Sequence, residues 1–300
     1  MSLEYIFDDI TIACTNVDRV MWPDEGITKA ELIGYYHYVA DYMLPELRER
    51  PLSVERYTKG VDRGGFFQKH YQKHYPAWLD KVEAGTKTRV VYPIVNTTAG
   101  LVYMANQGSI AFHVWTSRRE TLEYPDLIVF DLDPPEGKLD LVRQTALILR
   151  ELFEQLELPA FVKTTGGKGL HVVAPTDGRA SYGEVMAFCN RVAKLLCDRY
   201  PDLMTIEFYK KDRKGRLYLD TMRNALGATI IAPYSVRGRP GAPIAMPIEW
   251  AEVEDPAMAP NGFRLRDIRK RIGERGDPWA TLRDRVGSLD DAEAALERLR

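Results

Sequence analysis

The sequence predicts an α+β fold whose central part runs strand, helix, strand, strand, helix, strand. Two apolar runs of strand length end in carboxylates, Leu127 to Asp133 and Arg216 to Asp220. Two helical stretches, about Leu139 to Leu156 and another from Ser181, stand between strands and carry apolar residues at helical intervals. The turn Gly166-Gly167-Lys168-Gly169 joins the middle strands, Ala160 to Thr165 and Leu170 to Pro175, and Met204 to Lys210 reads as a further strand. This β-α-β-β-α-β order is the ferredoxin-like, or RNA-recognition-motif, arrangement.

Before this core, Thr28-Lys29-Ala30-Glu31 has capping-box spacing. Leu32, Tyr35, Tyr36, Val39, Tyr42 and Met43 then recur at helical intervals, so a helix is expected from about Lys29 to Arg48 with its tyrosines in the core. Short β-like runs follow at Leu52 to Tyr57, Arg89 to Val95 and Ser109 to Trp115, with a polar loop rich in Gly, Lys, His and aromatics between the first two. Ser181 and Glu184 make a second capping box, and the stretch from about Pro278 to Arg300 reads as a charged helix with a solvated polar face. No linker or repeat is visible. The expectation is a single domain over residues 1–300, with an N-terminal part to about 120, a core over about 121–245 and a helical tail over about 246–300.

A hydrophobic content of 45% supports a sizeable core. Three cysteines, Cys14, Cys189 and Cys197, lack metal-ligand spacing and read as buried spectators in a reducing compartment. The start MSLEYIFDDI has neither a signal-peptide pattern nor a membrane span, so a cytoplasmic protein without membrane attachment is expected. The net charge of −2 means that a polyanion would be held by a local basic patch, because the field of the whole molecule does not attract it.

The chemistry is concentrated in Asp131-Leu132-Asp133. Side chains two apart on a strand share a face, so both carboxylates project together, and hard cations such as Mg²⁺ or Mn²⁺ take such oxygens and bridge them to phosphates. On the tripeptide alone, a solvated acidic turn closed by Pro134-Pro135 explains it better. Asp220, by itself better explained as a surface turn residue, ends a strand that the ferredoxin-like order can bring near Asp131 and Asp133, and three converging carboxylates can hold two ions for in-line phosphoryl transfer. The glycine turn offers backbone amides with Thr165, Lys168 and His171 around them, a triphosphate cradle in type. It is not a Walker P-loop, because Gly169 stands where Ser or Thr is required.

Five blocks carry a family resemblance. They are Cys14-Thr15-Asn16-Val17-Asp18-Arg19-Val20-Met21-Trp22-Pro23, Phe66-Phe67-Gln68-Lys69, Phe130-Asp131-Leu132-Asp133-Pro134, Lys163-Thr164-Thr165-Gly166-Gly167-Lys168-Gly169-Leu170-His171, and Ser235-Val236-Arg237-Gly238-Arg239-Pro240-Gly241-Ala242-Pro243. In this order they resemble the polymerase domain of bacterial ligase D, a branch of the archaeo-eukaryotic primase superfamily. The resemblance implies a primase-polymerase type of fold. It also implies a nucleotidyltransferase of non-homologous end joining that extends 3′ ends at DNA gaps and breaks from NTPs or dNTPs, with ribonucleotides preferred and two Mn²⁺ (or Mg²⁺) ions bound. Asp131, Asp133 and Asp220 then match the metal ligands, and His113, Thr165, Lys168, His171 and Arg237 the nucleotide-binding set. Arg19 and Lys29 match the holders of a downstream 5′-phosphate, and Phe66 and Phe67 the aromatics that stack on the DNA terminus. The implied partners are DNA ends with a 5′-phosphate, Ku and a DNA ligase domain or protein, at the nucleoid.

The chain departs from the family pattern at Glu55 and Thr58, where a lysine and a proline are usual, and at Arg19, often lysine. A carboxylate at 55 would repel phosphate, whereas Arg19 keeps the charge. Thr165 stands where serine is frequent. Two other readings stay open at this level: a primase or lesion-bypass polymerase of the same superfamily, and a catalytically silent DNA-end-binding module. A DxD glycosyltransferase lacks any sign of a sugar site, and a haloacid-dehalogenase phosphatase would need Thr or Val where Pro134 and Pro135 stand. No Lys-x-Asp-Gly ligase nucleophile is present.

Overall fold

A computed structural model describes residues 3–85, 88–135 and 137–299; Thr86 and Lys87, in the expected polar loop, lie outside the described residues. The chain divides into two compact units, one of Met1–Trp115, Thr229–Ala245 and Phe263–Glu274, the other of Thr116–Ala228, Met246–Gly262 and Arg275–Arg300. Residues 229–245, grouped by sequence with the catalytic core, therefore belong to the first unit, and the residues beyond 246 are shared out instead of forming a separate tail. Strand pairing is the cause. Ile230 and Ile231 pair with Val114 and His113, while Val162 and Lys163 pair with Ile248 and Pro247.

In the first unit, Thr28 and Glu31 form the reciprocal capping box, and the helix that follows covers Lys29–Tyr38. The single long helix expected here is two, broken at Val39, with a second helix at Ala40–Leu47 that contains Pro45. The apolar period runs across the break, and Leu32, Tyr36, Val39 and Met43 are all fully buried. A four-stranded sheet holds Ile230–Ile231, Ser109–Val114, Leu52–Arg56 and, at its edge, Phe66–Gln68. A helix at Thr98–Asn106, capped by the Thr97 hydroxyl, has no counterpart in the sequence reading. Leu101, Val102, Met104 and Ala105 are all buried, so it carries no amphipathic stripe for periodicity to detect.

The second unit carries the predicted core. Its elements are β1 (Leu127–Asp133), α1 (Leu139–Gln155), β2 (Phe161–Thr164), β3 (Leu170–Pro175), α2 (Tyr182–Arg199), β4 (Met204–Thr205), β5 (Leu217–Asp220) and β6 (Pro247–Ile248). They form a six-stranded sheet in the order β4-β5-β1-β3-β2-β6. β3 lies between β1 and β2, and β1 between β3 and β5, with all three of these neighbour pairs antiparallel. Both crossovers are thus split by an intervening strand, as the ferredoxin-like order requires. α1 buries Val142, Ala146, Leu149 and Phe153, and the Phe153 ring meets Phe130 edge-on at 5.8 Å. Burial of each of the valine, leucine and phenylalanine side chains contributes about 1.5–3 kcal/mol. Because Phe130 faces the helix, alternation sends Asp131 and Asp133 from the opposite face. β4 is shorter than expected: residues 206–210 leave the sheet, and Phe208 and Tyr209 are exposed.

The predicted tail helix begins only at Leu289 and ends at Arg298, capped by Ser288. Before it, the Trp279 indole N–H donates to the Val162 carbonyl at 3.1 Å, which ties this stretch to β2. Cys14, Cys189 and Cys197 are free, the first two buried and Cys197 half-buried. Among the described residues no helix is long and apolar enough to cross a membrane.

Candidate active site

Register brings the acidic residues together. Asp131 of β1 lies directly opposite Asp220 of β5 on one side and His171 of β3 on the other, and His171 lies opposite Lys163 of β2. Directly opposed residues share a face, so Lys163, His171, Asp131 and Asp220 form one row across the sheet, with Asp133 two residues farther along β1. The predicted trio of carboxylates therefore sits on one face. Lys163, fully buried, was not singled out from the sequence. A lysine inside the apolar strand Phe161-Val162-Lys163-Thr164 was the available signal.

Arg223 is the second residue that sequence reasoning missed. Its Nε donates to Asp131 Oδ2 at 2.9 Å, and its charge is further favoured by Asp220 and Asp133. It stands one short turn after Asp220, in Met222–Asn224. Asn224 fixes that turn against β1: its amide accepts from Val129 N–H at 2.9 Å and donates to the Val129 carbonyl at 2.8 Å. Asp220 Oδ1 accepts from Met222 N–H at 2.8 Å.

Burial pushes the Asp131 carboxyl up, but His171 and Arg223 more than offset it and hold the group well below the ordinary carboxylate range. Burial, with Lys163 beside it, pushes the His171 imidazole down to about 4. Arg223 is the permanently charged partner of Asp131. His171 Nε2 lies 3.4 Å from Asp131 Oδ1, and Nδ1 is buried without a hydrogen-bond partner.

The glycine turn is more closed than the sequence suggested. The amides of Gly167 and Gly169 both donate to Thr165 Oγ1 at 3.3 Å, and that hydroxyl donates to the Gly169 carbonyl at 3.1 Å. These two amides are not presented as an open nest, and a phosphate would compete with Thr165 for them. Lys168 alone of the turn is exposed. Gly169 is required by space, since a Cβ there would lie 2.3 Å from the Leu132 carbonyl oxygen and 2.8 Å from Asp133 Oδ1. Gly169→Ala should therefore force β3 from β1 at the carboxylates and destabilise the fold by about 1–3 kcal/mol. Urea unfolding checks this, and an unchanged midpoint would show that the backbone yields without cost.

The rest of the expected nucleotide set belongs to the first unit. His113 Nε2 is 3.0 Å from Glu55 Oε1, and Arg237 is 3.6 Å from the same oxygen. Glu55, expected to repel phosphate, is thus a counter-ion to both, and the His113 hydrogen bond leads in holding its carboxyl down. In the same unit, Lys29 is 4% exposed, and its ammonium donates to the Thr15 carbonyl at 2.5 Å and to Asn106 Oδ1 at 2.8 Å. Asn106 ends the helix that the sequence reading lacked. Burial and the neighbouring Arg19 charge push Lys29 down to about 8. Arg19 also donates to the Thr58 carbonyl. Two like charges held close favour an anion. Phe66 and Phe67 are 50% and 54% exposed on the edge strand, and Phe67 packs edge-on against His113.

Residues 28–279 match the family model described as LigD, primase-polymerase domain. The chain belongs to this family. It is 36% identical over 278 residues to the multifunctional non-homologous end joining protein LigD of Mycolicibacterium smegmatis, covering 90% of this chain and 36% of that protein. It is 32% identical to the bifunctional LigD of Bacillus subtilis, over 88% of this chain and 43% of that protein. The chain thus spans well under half the length of these relatives. The polymerase domain of Mycobacterium tuberculosis ligase D, solved in complex with DNA, superposes with a TM-score of 0.86 at 32% identity, covering 92% of this chain and 99% of that one. The α+β primase-polymerase fold expected from the resemblance is borne out.

For the divalent ions implied by the family, the donor set is of the right chemistry, three carboxylates on one sheet face. Among the described residues, however, no three His, Cys, Asp or Glu side chains form a ready metal-binding group. Asp131 is engaged with Arg223 instead. The residues fit the ions in kind, provided that Arg223 yields its partner.

Proposed function

We propose that this chain is the nucleotidyltransferase of a DNA end-joining system, extending primer 3′ ends at gaps and breaks with ribonucleotides in preference to deoxyribonucleotides. The observation that carries the reading is the alignment of Asp131 and Asp220 across β1 and β5, with Asp133 on the same face. Two divalent ions bound there, Mn²⁺ or Mg²⁺, would supply activation of the 3′-hydroxyl and neutralisation of the pyrophosphate leaving group. The chain's own residues do the rest. Asp131, Asp133 and Asp220 hold the ions, and Arg223, released from Asp131, supplies a cation beside the reacting phosphates. Lys168, exposed on the glycine turn, and Thr165 and His171 take triphosphate oxygens, and within the first unit His113 and Arg237 are nucleotide-binding residues.

Arg19 and Lys29 hold a downstream 5′-phosphate, and Phe66 and Phe67 stack on the DNA terminus. Lys29, with its pKa near 8, is protonated below that value, so two cations face the phosphate there and one above it. The affinity ratio of phosphorylated to unphosphorylated ends should fall as pH rises through about 8, with bound phosphate shifting the fall upward. Fluorescence anisotropy of both ends across this range checks the sign, and a flat ratio would remove Lys29 from the site. Ku and a ligase domain or protein are the partners this reading requires, in keeping with the end-joining names of the relatives.

A silent end-binding module is favoured by one observation, the engagement of Asp131 with Arg223. Mn²⁺ titration distinguishes the two by electron paramagnetic resonance. Two bound ions, abolished in Asp133→Asn, support the polymerase, and no binding in the presence of DNA and NTP supports the module. Initiation on a template without primer would instead indicate a primase.

A further inference from the structure

The segment between β4 and β5 leaves the sheet beside the carboxylates and exposes aromatic rings. Phe208 is 67% exposed and Tyr209 65%, with Ile206 at 51% next to them. Adjacent exposed rings on a loop carry a solvation cost that a covering partner removes. Five cations, Lys210, Lys211, Arg213, Lys214 and Arg216, accompany two carboxylates, Glu207 and Asp212, in the same eleven residues.

The loop is built. Arg213 stacks over the Tyr218 ring at 4.0 Å, while its guanidinium donates to the Glu207 carbonyl at 3.1 Å and the Phe208 carbonyl at 2.7 Å. Arg216 Nε donates to the Arg213 carbonyl at 2.9 Å, and Lys138 reaches the Gly215 carbonyl at 3.1 Å. Gly215 takes the left-handed conformation, φ +77°, that closes the turn. Phe208 meets Tyr209 edge-on at 5.4 Å and Tyr218 at 6.5 Å. The backbone under the two exposed rings is therefore fixed before any partner arrives, which lowers the ordering cost of binding. Register gives the position: Tyr218 lies opposite Asp133 on one side and Thr205 on the other.

We propose that Phe208 and Tyr209 form a stacking platform for the unpaired bases of a nucleic-acid strand at the catalytic carboxylates, with Lys210, Lys211 and Lys214 tracking its phosphates. The inference rests on the polymerase reading. Aromatic rings interleaved with cations suit single strands because every base has a face to stack and every nucleotide a charge. This gives an enzyme of broken ends a grip on an overhang independent of its sequence.

The test uses a duplex with a 3′ overhang carrying 2-aminopurine, and a blunt duplex of the same paired length. The wild type should bind the overhang and quench the fluorophore. The Phe208→Ala, Tyr209→Ala double variant should lose about tenfold or more in overhang affinity, together with the quenching, and keep its blunt-end affinity. The Phe208→Tyr, Tyr209→Phe exchange retains both rings and should behave as wild type. Lys210→Ala with Lys211→Ala should lessen the salt dependence of overhang binding. Circular dichroism confirms that each variant is folded. Equal overhang binding and quenching by wild type and double variant would overturn the platform alone, and so would an equal loss on blunt DNA. A fall in molar mass of the double variant by sedimentation would assign the rings to a second copy of the chain and also overturn it. A wild type with no affinity for either DNA would overturn the polymerase reading itself.

Discussion

Asp131→Asn should abolish nucleotide addition, with a loss on the order of a thousandfold or more in single-turnover incorporation, while DNA affinity stays within about threefold. Asparagine keeps the shape of the side chain and removes the charge that a hard cation needs. Asp131 occupies the middle of the row, with Asp220 on one side and His171 on the other, so its loss leaves a gap between the remaining carboxylates and the imidazole. Arg223 would lose its 2.9 Å partner but still face Asp220 and Asp133, and it is partly exposed, so the fold should survive. Rapid-quench incorporation with parallel anisotropy separates the two effects. Extension at wild-type rate would remove the metal role from Asp131, and a parallel loss of DNA binding would point to a structural role.

Arg19→Ala combined with Lys29→Met should erase discrimination for a 5′-phosphorylated gap. A charge-assisted hydrogen bond contributes about 1.5–3 kcal/mol, roughly tenfold to a hundredfold in affinity for each cation removed. Methionine at position 29 fills the volume of a side chain that is 4% exposed and leaves the Thr15 carbonyl and Asn106 amide to be rehydrated. Affinity for the unphosphorylated gap is the internal control and should change little. A phosphorylated-to-unphosphorylated ratio equal to that of the wild type would sink the assignment.

The residues that the sequence made legible are those whose position follows from alternation and register. Once Leu127 to Asp133 and Arg216 to Asp220 were read as strands of a ferredoxin-like sheet, Asp220 could come near Asp131 and Asp133, and β1–β5 pairing places Asp131 and Asp220 opposite each other. The capping boxes at Thr28 and Ser181 were legible for a similar reason, being local four-residue devices. What escaped depended on tertiary surroundings. The helix at Thr98–Asn106 is buried all round and has no stripe, so Asn106, which orients Lys29, went unseen with it. Arg223 looks like an ordinary surface cation until the turn held by Asn224 swings it onto Asp131. Glu55 was visible as a charge but not in its surroundings. Its charge was read against phosphate alone, whereas in the fold it meets His113 and Arg237 first. The strand expected through Lys210 failed because β4 finds a partner only at Met204 and Thr205, and the apolar residues after it serve an exposed loop.

The most direct test of the central claim is primer extension on a gapped duplex bearing a recessed 5′-phosphate, with Mn²⁺ and either the four ribonucleoside triphosphates or their deoxy counterparts, followed by denaturing gel. The account predicts templated addition, stronger with ribonucleotides and with the 5′-phosphate present, and absent in Asp131→Asn. DNA binding without any extension by the wild type would contradict it and leave an end-binding module whose carboxylates serve the fold.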